Sequence, residues 1–268
     1  MLHRVLPMLL FVAATASAAP RWQDRPAWRA EFASRGLGAG TAVVYDEAAD
    51  TYFVYDRARA GLPLLPASTF KLFNALVSLE TGVVRDEHEI IAWDGKDRGR
   101  AEWNRDTDLA SGMRYSTVWF YRALARRIGE ARMQQWIDAA GYGNRDIGGG
   151  IDRFWLVGDL RISALQQIEF LRRLAAGILP FSARSQAIVR RICLVEKTDA
   201  YELHGKTGWK HVDGEPVDHG WFVGWVERGD RRWFVAVNMD FAAGTQVARD
   251  GGKRLEVARA VLAQAGAL

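Results

Sequence analysis

Ser68-Thr69-Phe70-Lys71 places a hydroxyl and an amine three residues apart at the expected start of a helix. Side chains at i and i+3 of a helix share a face, with Cβ atoms about 5–6 Å apart, so the lysine can reach the serine unaided. Serine attacks a carbonyl only when a neighbour takes its proton. A lysine can do so only when neutral, and a pKa near 10.4 leaves roughly one molecule in a thousand neutral at pH 7. Desolvation lowers a lysine pKa by about 3–5 units, and Pro66, Phe70, Leu72 and Phe73 supply apolar surroundings. The chemistry on offer is acyl transfer, with Ser68 as nucleophile and Lys71 as base. The chain has nine serines and six lysines, so S-x-x-K arises by chance in roughly one such chain in five. Taken alone, it is equally the N-cap of a surface helix. Partners elsewhere must decide.

Three candidate partners follow in the chain. Lys206-Thr207-Gly208 closes an expected strand. Its lysine could hold an anionic substrate group or aid proton transfer, and Gly208 lets the backbone approach a ligand closely. The competing reading is an ordinary strand-to-turn sequence. Ser116-Thr117-Val118 opens an expected helix, where the Ser116 hydroxyl could relay a proton or serve only as a cap. Tyr142-Gly143-Asn144 is followed by Phe154-Trp155-Leu156. An indole N–H only donates, so Trp155 could stabilise an anion, or it could be an apolar core residue.

The elements that must position these groups are legible in the hydrophobic pattern. Residues 40–45 and 51–55 read as a hairpin. From Ser68 to about Val195 the apolar spacing is helical, in segments 70–80, 118–128, 133–140, 164–176 and 182–192. Loops rich in Gly, Asn or Asp intervene at 93–99 and 141–150. Strands return at 201–206, 220–227 and 233–240, the last two flanking the turn Arg228-Gly229-Asp230. An amphipathic helix closes the chain at about 252–265. Strands at both ends with helices between them predict an α+β fold: an antiparallel sheet formed by the N- and C-terminal strands, flanked by helices, with a helical insertion.

Composition narrows the function further. The 268 residues are 49% hydrophobic with a mean hydropathy of −0.14, as in a globular protein with a substantial core. Residues 1–18 read as a secretory leader, with Arg4, an apolar run over 5–14 and the cleavage pattern Ala16-Ser17-Ala18. That run is shorter than the roughly 20 residues a membrane span needs. An exported domain of residues 19–268 is the expectation, with no stable membrane anchor. The formal net charge is only +4, and the arginines are dispersed. Arg122, Arg126 and Arg127 read as a solvated helix face, so nucleic acid is not an expected partner. Cys193 is the only cysteine, which rules out an intrachain disulfide and suits a core position. Five scattered histidines without H-E-x-x-H or paired cysteines give no reason to expect a metal. Gly36-Leu37-Gly38-Ala39-Gly40 precedes a strand and opens no helix, so no dinucleotide site is expected.

The ordered set S-x-x-K, S-x-V, Y-G-N, F-W-L and K-T-G resembles the class D serine β-lactamases, the oxacillinase group of penicillin-recognising enzymes. The likeness runs from about residue 40 to the C-terminus and includes Phe154-Trp-Leu-Val-Gly-Asp-Leu-Arg-Ile-Ser163 and Gly220-Trp-Phe-Val-Gly-Trp-Val-Glu227. It implies hydrolysis of β-lactams in a periplasm, with Ser68 acylated and Lys71 N-carboxylated by carbon dioxide as the base; no other cofactor is implied. It further implies that Trp155 donates to the carbamate, that Val118 walls its pocket and that Ser116 shuttles a proton to the β-lactam nitrogen. Lys206, Thr207 and an arginine of the last helix would bind the substrate carboxylate. Spacing suggests Arg254 for that arginine, with Arg249 and Lys253 close by. The N–H groups of Ser68 and Trp209 would form the oxyanion hole, where one donor is worth roughly 3–4 kcal/mol. Class A enzymes pair S-x-x-K with S-D-N; here the second motif ends in Val118. Phe73 departs from the pattern, since proline or a smaller apolar residue is usual there. A penicillin-binding transpeptidase or carboxypeptidase, or a non-hydrolytic β-lactam sensor, is the alternative. Either a monomer or a homodimer is compatible with the sequence.

Overall fold

The computed structural model describes residues 19–211, 217–242 and 244–268; the expected leader lies outside them. Seven strands form one sheet: β1 (Arg21–Asp24), β2 (Gly40–Asp46), β3 (Thr51–Tyr55), β4 (Leu194–Lys197), β5 (Glu202–Lys210), β6 (Val217–Arg228) and β7 (Arg231–Ala242). Their order is β1-β3-β2-β7-β6-β5-β4, so strands from the two ends of the chain meet where β2 pairs with β7. Side chains alternate across β6: Trp221, Val223 and Trp225 enter one core, Phe222 and Val226 the other. A sheet buried on both faces needs a layer on each side.

The helices described are α1 (Arg29–Ala33), α2 (Arg57–Ala60), α3 (Lys71–Glu80), α4 (Leu109–Arg114), α5 (Val118–Ile128), α6 (Glu130–Ala140), α7 (Ala164–Ala176), α8 (Ala183–Ile192), α9 (Val247–Asp250) and α10 (Lys253–Gln264). Phe32 of α1 and Val257, Ala258, Val261 and Leu262 of α10 cover one face of the sheet. The insertion α3 to α8 covers the other, and its larger core includes Leu76, Leu124, Ile137 and Leu171. Local chemistry fixes the helix ends. Ser163 caps α7 in a reciprocal pair with Gln166, and Gly177 leaves that helix at φ +71°.

The α+β organisation and the helical insertion match expectation. The sheet is mixed rather than wholly antiparallel, because β1 pairs with β3 in parallel. Helical spacing expected up to Val195 ends at Ile192, and Leu194–Lys197 instead form the edge strand β4. The backbone decides this: Gly205 donates its N–H to the Cys193 carbonyl at 2.8 Å, tying the chain to β5 just where the helix would continue.

Candidate active site

Ser68 lies in a 3-10 turn, Ala67–Phe70, that runs directly into α3. It is not a cap, since the turn has no side-chain cap hydrogen bond. Ala67 precedes it at φ +51°, a left-handed conformation that costs an L-residue roughly 1–2 kcal/mol. The surroundings enforce it. Ala67 donates its N–H to the Trp155 carbonyl at 2.9 Å. On the other side of Ser68, Thr69 Oγ1 donates to the Pro66 carbonyl at 2.9 Å and accepts from Gln167 Nε2 at 2.8 Å. Strain held this firmly beside a candidate nucleophile is the mark of pre-organisation.

Lys71 begins α3, and its Nζ donates to Ser68 Oγ at 2.8 Å. The side chain is 1% exposed, and burial lowers its pKa from the ordinary value to about 7. About half of such lysines are neutral at neutral pH. The apolar wall anticipated from Phe70 and Phe73 is present. Phe70 stacks on Trp155 with centroids 5.2 Å apart and meets Phe154 edge-on at 5.0 Å. Phe73 is fully buried between Phe70, Tyr142, Phe170 and Phe181, so the larger ring is absorbed as packing behind the nucleophile.

Trp155 is 1% exposed, and its Nε1 is a buried donor with no hydrogen-bond partner. A buried polar group left unpaired costs about 1–3 kcal/mol. A donor kept in that state, on the residue whose carbonyl holds Ala67, suits an anionic group beside Ser68. Ser116 sits in the turn between α4 and α5 at φ +55°, a second strained non-glycine residue. Val118, half-buried, is the first residue of α5. That helix lies against α3, where Asn74 Nδ2 donates to the Tyr121 carbonyl at 3.2 Å.

The K-T-G segment lies within β5, which reaches four residues beyond the expected end at 206. Lys206 is 5% exposed, and its Nζ donates to the Thr207 carbonyl at 3.1 Å and to Thr207 Oγ1 at 3.3 Å. Burial, then the charges of Lys71 and Arg254, hold its pKa well below the lysine range. Lys206 thus shares its surroundings with the basic side chains of Lys71 and Arg254. Gly208 is needed for the approach: a Cβ there would stand 3.0 Å from the Pro66 carbonyl and 3.2 Å from Thr69 Cγ2. Trp221 Nε1 donates to the Leu65 carbonyl at 3.0 Å, fastening the sheet to the nucleophile loop a second time.

Of the three basic residues considered near α10, the structure singles out Arg254. Arg249 and Lys253 both pair with Asp250 at 2.8 Å. Arg254 is 8% exposed, threads past Gly220 and donates through Nη1 to the Gly208 carbonyl at 2.6 Å. Burial lowers its pKa to about 10, so it stays cationic at neutral pH. Its guanidinium lies 5.3 Å from the Trp209 ring. The sequence reading missed the supports of this cluster: Gln167 under Thr69, and Asp218 under Trp209. Ser163 with Gln166 at the start of α7 was the available signal for the first; the second had none.

A serine hydrogen-bonded to a buried lysine, with a second lysine and an arginine on the neighbouring strand edge, is the arrangement of the penicillin-interacting class of serine proteins. Residues 40–263 match the family described as penicillin binding protein transpeptidase domain. Beta-lactamase OXA-48 of Klebsiella pneumoniae is 43% identical over 249 residues, 92% of this chain and 91% of that protein. OXA-10 of Pseudomonas aeruginosa is 41% identical, covering 81% of this chain and 82% of its own. Among solved structures, the class D β-lactamase YbXI from Nostoc superposes with a TM-score of 0.84 at 43% identity, covering 90% of this chain and 99% of its own. FUS-1 from Fusobacterium nucleatum superposes at 0.85 with 37% identity, covering 92% and 100%. The chain belongs to the class D β-lactamases and is an enzyme of that serine hydrolase group.

Proposed function

We propose that the protein hydrolyses β-lactam antibiotics through a Ser68 acyl-enzyme, with Lys71 working in its N-carboxylated form. The carrying observation is the Lys71 amine, buried and 2.8 Å from Ser68 Oγ; the unpartnered Trp155 donor belongs to the ring that stacks on Phe70, the residue before Lys71. Burial favours the neutral form of the Lys71 amine, and a neutral amine can add carbon dioxide with release of a proton. When present, the carbamate supplies an anionic proton acceptor beside Ser68, and Trp155 Nε1 and Val118 are the residues to hold it.

The chain's own residues supply the rest. Ser68 Oγ attacks the lactam carbonyl as its proton leaves toward position 71, and the backbone N–H groups of Ser68 and Trp209 receive the oxyanion. Ser116 passes a proton to the departing nitrogen. Lys206, Thr207 and Arg254 hold the ring carboxylate, with Gly208 admitting the substrate to the strand edge. Among the described residues, no helix is long and apolar enough to cross a membrane, which is compatible with export to a periplasm on the leader at 1–18.

Intact-mass measurement tests the assignment of roles. Ser68→Ala should take up no β-lactam. Lys71→Ala should stop turnover and, where it acylates, retain the adduct for hours. Turnover by Lys71→Ala at the parent rate would contradict the role of the lysine.

A further inference from the structure

We infer that Asp218 is a positioning residue for substrate binding, fixing Trp209 and, through it, the Arg254 guanidinium. The inference rests on the reading of Arg254 as the cation that meets the β-lactam carboxylate. Asp218 stands near the start of β6 and is 5% exposed. A carboxylate so buried is tolerated only when hydrogen-bonded. Its Oδ2 accepts from Trp209 Nε1 at 2.9 Å, and its Oδ1 accepts from His211 Nδ1 at 2.8 Å. Both oxygens are thereby directed, and the carboxylate holds the indole at one angle. That angle matters because the ring lies between two partners. Phe241 packs on it with centroids 4.2 Å apart, and the Arg254 guanidinium lies 5.3 Å from its centroid.

Arg254 is held at three points: Nε donates to the Gly251 carbonyl at 2.7 Å, Nη1 donates to the Gly208 carbonyl at 2.6 Å, and the indole flanks the guanidinium. Two of the three are backbone groups. The indole is the support that a side chain elsewhere can release. A ring freed from Asp218 can turn over Phe241 and open a gap beside the guanidinium. Asp218 and His211 also lie one step beyond the last β5–β6 pair, Lys210 with His219. The same bonds thus hold the loop end of the hairpin.

The test compares KM and kcat on a chromogenic cephalosporin and on its methyl ester, which lacks the ring carboxylate. Asp218→Ala should raise KM for the acid about tenfold, the loss of one well-placed hydrogen bond, with kcat and the ester little changed. Asp218→Asn keeps an acceptor for the indole and should restore the parent KM. Should Asp218→Ala fail to fold, Asp218→Leu keeps the branched shape while removing both acceptors, and should show the same contrast between acid and ester. Equal losses on acid and ester, or none, would reduce Asp218 to holding the hairpin and overturn the inference. Arg254→Ala separates the two levels. If it too fails to discriminate acid from ester, the reading of Arg254 falls and takes the inference with it. If it discriminates while Asp218→Ala does not, the inference alone is lost.

Discussion

Lys71 carries the tension between stability and chemistry in this molecule. A lysine with an ordinary pKa of 10.5 that folds into a site where it falls to about 7 must release a proton on folding across that interval. Between those values the unfolded chain binds more protons than the folded one, so stability rises with pH through the window. The deficit is complete below pH 7 and gone above 10.5, with an upper bound of roughly 5 kcal/mol. Lys71→Met, in buffer freed of carbon dioxide, should therefore unfold at higher denaturant than the parent at pH 7. The gain should shrink toward pH 10. A variant less stable than the parent at both pH values would show that the amine is not held at an energetic cost. Ala67, the residue before Ser68, adds strain at the same site through its positive φ. Polar residues of this kind are the ones that a sequence displays well. Ser68 and Lys71 were legible because a helix converts a three-residue spacing into contact.

At the scale of elements, β5 against the nucleophile turn is the decisive contact. Gly208 permits it, and Gly208→Ala would set a methyl group 3.0 Å from the Pro66 carbonyl and 3.1 Å from Trp221 Cβ. Neither neighbour is free to yield, because the Leu65 carbonyl is held by Trp221 and the Pro66 carbonyl by Thr69. The substitution should cost about 100-fold in kcat/KM through misplaced reacting groups, while circular dichroism stays native. Undiminished activity would show that β5 does not press on the nucleophile turn. The long helices and the central strands were readable from periodicity. Arg21–Asp24 was not: β1 is four exposed residues with no alternation to read. Leu194 and Val195 misled because they continue the apolar spacing of Ile188, Val189 and Ile192, and pairing with β5 overrode it. The Asp218–Trp209 bond depends on hairpin register, which nothing in the residue order announces.

The described residues form one sheet with a core on each face, stabilised by apolar burial, and the single cysteine allows no cross-link within the chain. Cys193 is free and buried, and burial pushes its thiol pKa up, away from reactive thiolate. The thermal midpoint should be the same with and without reductant. A fall on adding dithiothreitol would reveal a disulfide between chains. The sheet and the helical insertion meet at the turn that carries Ser68 into α3. On the proposed mechanism the buried Lys71 amine works only after taking up carbon dioxide. The most direct test is steady hydrolysis of a chromogenic cephalosporin at pH 7 in degassed buffer, before and after adding bicarbonate. Slow or arrested turnover that recovers severalfold with bicarbonate is expected, with no such recovery in Lys71→Ala. Full turnover in degassed buffer, unchanged by bicarbonate, would contradict the mechanism.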